Sequence, residues 1–82
     1  MSGAIEWSEE QLSGGCEEIS KELLPSYFEI WIHFNGDIEF YTIKDDIILI
    51  SLDILKEITE RAESWLKHKA IYEQLQGKHG KY

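Results

Sequence analysis

Proline, cysteine and basic residues are scarce in this 82-residue chain, which has one proline, one cysteine and 8 Lys+Arg against 16 Asp+Glu. The single cysteine, Cys16, excludes an internal disulfide and any four-cysteine zinc site. The longest apolar run is short, Ile47 to Ile50, against the ~20 residues that a membrane-crossing helix needs. The start, Met1-Ser2-Gly3-Ala4-Ile5-Glu6, has neither a basic stretch nor an apolar one, so no signal peptide and a cytoplasmic location are expected. Gly14-Gly15 lacks the Lys-Ser/Thr of a phosphate-binding loop. His33, His68 and His79 fall on separate segments without paired ligand spacing. Asp45-Asp46 lacks the alternating acids and glycine of a calcium loop. Neither a metal nor a cofactor is therefore expected.

What is present is ordinary globular material, with 43 % hydrophobic residues. The length predicts a single domain over residues 1–82, with residues 1–6 and 77–82 as fraying tails. A domain this small buries only about 60 % of the surface its unfolded chain exposes, which leaves little room for a deep pocket. The net charge of −8 is unevenly spread. Residues 1–54 carry a net −10 and residues 55–82 a net +2. An acidic front repels phosphate backbones, so direct binding to nucleic acid is not expected, nor is a membrane. The same field attracts a partner with a basic surface, besides keeping the chain soluble.

Ser8-Glu9-Glu10-Gln11 reads as a capping box, with Trp7 and Leu12 placed as a hydrophobic staple and two glutamates in the first turn. Leu12, Cys16, Ile19 and Leu23 follow at helical spacing, which predicts a first helix, broken or kinked at Gly14-Gly15 and ended by Pro25. Residues 27–34 alternate, with Phe28, Ile30, Ile32 and Phe34 on one face, and so predict a strand. Asn35-Gly36 signals a hairpin, and Ile38 to Ile43 supplies the return strand. A two-residue loop would set Phe34 against Asp37 and Ile32 against Glu39. An odd loop with a glycine bulge keeps apolar even positions facing one another, so burial favours the odd loop. Ile47 to Ile50 reads as a short third strand, central or doubly covered. Ser51 caps a long last helix with Leu55, Ile58, Ala62, Trp65, Leu66 and Tyr72 on its stripe and Gly77 as its C-cap. The expected fold is a small α+β domain in α-β-β-β-α order, a three-stranded antiparallel meander packed with both helices.

No nucleophile stands in a catalytic constellation. Glu60, Ser64 and His68 line one face of the last helix, but a serine on a regular helix has no free N–H beside it to hold an oxyanion. Cys16 reads as a small buried hydrophobe. The odd hairpin face is more informative: Tyr27, Trp31, His33, Tyr41 and Ile43, with Glu29 and Glu39 among them. It is exposed if both helices cover the even face, and buried if the helices sandwich the sheet. Two function classes follow. The first is a non-enzymatic regulator or inhibitor that masks a basic, nucleic-acid-binding site of a partner protein by phosphate mimicry, as anti-restriction or anti-CRISPR proteins do. Its contacts would be Glu9, Glu10, Glu17, Glu18, Asp37, Glu39, Asp45 and Asp46. The second is an assembly subunit or homodimeric adaptor that docks through the aromatic residues.

Overall fold

The computed structural model describes residues 5–80, with side-chain surroundings up to residue 76. The elements run α1 (Glu9–Ser13), β1 (Cys16–Glu18), β2 (Phe28–His33), β3 (Ile38–Thr42) and α2 (Leu52–Gly80). This is the expected α-β-β-β-α domain with an antiparallel sheet in the order β1-β2-β3. Among the described residues, no helix is long and apolar enough to cross a membrane.

Local chemistry sets both helix starts. The Ser8 N–H donates to Gln11 Oε1 (2.8 Å) and the Gln11 N–H donates to Ser8 Oγ (3.2 Å), which closes the capping box. The Ile54 N–H donates to Ser51 Oγ (3.2 Å) at the start of α2. The hairpin takes the odd loop: Ile30 faces Phe40 and Ile32 faces Ile38. His33 donates its N–H to the Asp37 carbonyl (2.8 Å) and accepts from the Gly36 N–H (2.9 Å), with Gly36 at φ 93°. That left-handed residue is what lets the chain turn without exchanging the strand faces.

Three expectations are corrected. The first helix does not run on to Pro25. Gly14 is extended (φ −77°, ψ 167°), α1 stops there, and Cys16, Glu17 and Glu18 pair with His33, Ile32 and Trp31 as β1. Cys16 is consequently half-buried on a sheet face rather than on a helix stripe. Ile47 to Ile50 is not a strand. The third strand is β1, and residues 48–50 make no backbone hydrogen bond with any described residue. The Thr42 hydroxyl accepts from the Lys44 N–H and donates to the Lys44 carbonyl, which turns the chain away from the sheet before that segment begins. Lastly, α2 continues through Gly77 to Gly80 instead of ending at a C-cap. Of the expected tails, residues 1–4, 81 and 82 lie outside the described residues.

The core lies between β2 and α2. Ile19, Ile30, Ile32, Ile58, Ala62 and Trp65 are buried, with Trp7, Leu12, Leu23, Leu24, Phe28, Ile54 and Leu66 around them. Trp65 is completely buried, and its indole N–H donates to the Gln11 carbonyl (2.9 Å). Arg61 donates to the Lys21 carbonyl (3.0 Å). Lys69, only 7 % exposed, donates to the carbonyls of Leu12 (2.9 Å) and Gly14 (2.6 Å). One face of α2 thus holds the backbone of Gln11, Leu12, Gly14 and Lys21, and α1 packs directly on α2. The even side of β2 is sealed, whereas every residue of β3 is exposed.

Candidate partner-binding face

Side chains alternate across a sheet, so the register decides what the odd side presents. Glu18 of β1, Trp31 of β2 and Glu39 of β3 form one rung. Glu29 and Tyr41 form the next, and Cys16 and His33 the one on the other side. Neighbouring strands lie about 4.8 Å apart, so Glu18 and Glu39 flank the indole roughly 10 Å from each other at the backbone. Both helices pack on the even side with the core, and the odd face carries neither; its β1 and β2 residues are half-buried and its β3 residues exposed.

The face is internally bonded. The Trp31 indole N–H donates to Glu29 Oε1 (2.9 Å), and the residue is half-buried. His33 Nε2 lies 2.8 Å from Glu39 Oε1, an ion pair whenever the imidazole is protonated. Tyr41 is 50 % exposed. Cys16, Glu29, Trp31, Glu39 and Tyr41 line a shallow depression. At its far end Lys44 Nζ sits 4.7 Å from the centre of the Tyr27 ring. An indole and a phenol set among carboxylates suit a guanidinium or ammonium group, which gains both from the ring face and from charge-assisted hydrogen bonds.

The eight acids read from the sequence are scattered. Glu9 and Glu10 are exposed in the first turn of α1. Glu17 points to the even side, where its carboxylate accepts from Gln11 Nε2 (2.8 Å). Glu18 belongs to the odd face, but its carboxylate accepts from the Ser20 N–H (2.9 Å) and from the Ser20 hydroxyl. Asp37 accepts from Asn35 Nδ2 in the hairpin loop, and Asp46 accepts from the Ile47 N–H just beyond Asp45. Only Glu18 and Glu39 join the aromatic residues. Tyr27, Trp31, His33 and Tyr41 do come together as one strip, with Glu29 among them.

Two residues, Cys16 and Ser20, escaped the sequence. Cys16 reaches this face, and Glu18, already read as a contact, comes beside Trp31, because residues 16–18 are a strand. Ser20, buried, accepts from the Ile30 N–H (2.9 Å) and so stands in for a backbone partner at the end of β1. No sequence signal distinguished it from any other turn serine. On α2, the Ser64 hydroxyl accepts from the Trp7 indole (3.0 Å), and His68 Nδ1 lies 2.8 Å from the Ser64 carbonyl. Among the described residues, no three His, Cys, Asp or Glu side chains are grouped to hold a metal. No known protein family, curated protein or solved structure matches this chain.

Proposed function

We propose that the chain is a non-enzymatic, acidic protein-binding module, a regulator or inhibitor whose odd sheet face masks a basic surface on a partner protein. The observation that carries this reading is the rung Glu18–Trp31–Glu39, uncovered by either helix and bordered by Glu29 and Tyr41. Aromatic side chains supply contact area, and the carboxylates select for Lys and Arg and speed encounter. A site built to grip phosphates is such a surface, and carboxylates that occupy it displace nucleic acid. Phosphate mimicry by Glu39 and Glu29 is therefore the sharper form of the proposal. The helix-side carboxylates, Glu9 and Glu10, are not needed for it.

The test is capture of a partner on the immobilised chain, eluted by a salt gradient and separately by added duplex DNA. The reading expects a nucleic-acid-binding protein that leaves at moderate salt and on adding DNA. Capture should be lost in Glu29→Lys/Glu39→Lys and weakened about tenfold or more in Trp31→Ala. Retention of the same partner at high salt by the double lysine variant would contradict it.

A further inference from the structure

Resting on the basic partner proposed above, we infer that this partner is gripped as an extended segment, alternately apolar and basic, which adds a fourth strand along the open edge of β3. The register leaves that edge unpaired. Facing residues of an antiparallel pair alternate between exchanging two backbone hydrogen bonds and exchanging none. At one end of the hairpin the His33 N–H donates to the Asp37 carbonyl (2.8 Å), and at the other the Ile43 N–H donates to the Tyr27 carbonyl (3.1 Å). Between these ends Glu39 faces Trp31 and Tyr41 faces Glu29, so the odd residues of β3 direct their backbone groups to β2. Ile38, Phe40 and Thr42 therefore turn their N–H and C=O groups outward, where no backbone partner meets them among the described residues.

A bare edge is a template for another chain, and proteins guard such edges with charge, proline, bulges or short length. β1, the other edge of this sheet, is guarded: it has three residues, and two of them are Glu17 and Glu18. β3 has five residues, is exposed throughout, contains neither proline nor lysine, and carries Glu39 as its one charge.

The two faces beside the edge specify the occupant. An added strand continues both faces of the sheet, with alternate side chains on each. On the odd face its side chains fall next to Glu39 and Tyr41, with Trp31 and Glu29 one strand further in. Basic groups gain there from the carboxylates and the rings. On the even side they fall next to Ile38 and Phe40, both exposed, with the Phe40 ring set T-shaped against Phe28 (centroids 6.1 Å apart). Apolar groups gain there by burial. Alternation of the two kinds meets both faces at once. Main-chain bonds then supply affinity, and the alternating side chains supply selectivity. A second copy brings its own Glu39 and a net charge of −8 instead, which opposes its approach. Antiparallel addition continues the pattern of the sheet and pairs slightly better than parallel addition.

The test is calorimetric titration of the full chain with a short peptide of alternating valine and arginine, and with two versions of it N-methylated on the valines or on the arginines. In an antiparallel strand beside β3, the amides that reach Phe40 belong to the residues whose side chains lie on the same side as its own, the valines. Methylating the valines should weaken binding by about tenfold or more, and methylating the arginines should leave it unchanged. Amide hydrogen exchange in the complex should slow at Ile38, Phe40 and Thr42, and stay as it was at Glu39 and Tyr41, which β2 already holds. Equal affinity for all three peptides without slowing along β3 would overturn the inference and leave the basic-partner reading standing. Failure of all three to bind would overturn both. Slow exchange at Ile38, Phe40 and Thr42 in the absence of peptide, in a chain that sediments as a dimer, would assign the edge to a second copy and overturn the inference as well.

Discussion

Lys69 shows how one side chain can hold a short helix in place. The last carbonyls of a helix have no partner within it, and α1 has only five residues with which to offset that cost. The Lys69 ammonium meets the Leu12 and Gly14 carbonyls, lies 3.2 Å from Glu73 and sits 5.2 Å from the centre of the Trp65 ring. Lys69→Met keeps the stem and removes the donors, so it should cost about 2 kcal/mol of stability, measured by urea unfolding. A change below 0.5 kcal/mol, read against ~1 kcal/mol for an ordinary hydrogen bond, would mean that water replaces the ammonium without loss. In the sequence, Lys69 reads only as one of several positive charges toward a helix C-terminus. Its partners are more than fifty positions away in the chain, and no local pattern points to them.

At the scale of elements, legibility follows the range of the forces involved. The Ser8 and Ser51 caps were readable because donor and acceptor lie within one turn. The hairpin register was readable because strand parity places Ile30 and Ile32 either in the core or in water. Residues 16–18 were not readable: Cys16 and Ile19 fit a helical stripe as well as they fit a strand. What decides is pairing with β2, a non-local term. Ile47 to Ile50 misled because a short apolar run carries no periodicity of its own, and the Thr42–Lys44 turn takes it off the sheet. Two backbone positions make a paired test. Glu22 sits at φ 70° and Gly36 at φ 93°, both in the left-handed region. Glu22→Gly should raise stability by about 0.5–1 kcal/mol, and Gly36→Ala should lower it by about 1 kcal/mol although a Cβ there meets nothing within 4 Å. Thermal unfolding of the two variants should therefore move in opposite directions. Matching shifts would show that backbone strain is not what these positions control.

The whole molecule is a thin plate with a long spine. Its axes measure 51 × 30 × 17 Å, the longest set by 29-residue α2, which at 1.5 Å per residue runs about 43 Å. α2 covers β2 and leaves β3 bare, so the sheet offers two surfaces of different chemistry. The odd one is aromatic and acidic, and the even one toward β3 is apolar, with Ile38 and Phe40 exposed. A surface of the first kind suits a basic partner.

The central claim is that the odd face recognises cationic side chains. The most direct measurement is a titration of isotope-labelled chain with an arginine-rich peptide, read by nuclear magnetic resonance at low and at high salt. The Trp31 indole N–H and the amides of Glu29, Glu39 and Tyr41 should shift together. The Trp7 and Trp65 indoles, bonded to Ser64 and to the Gln11 carbonyl, should stay in place, and the shifts should collapse in high salt. Shifts confined to Glu9, Glu10, Asp45 and Asp46, with Trp31 unmoved, would contradict it.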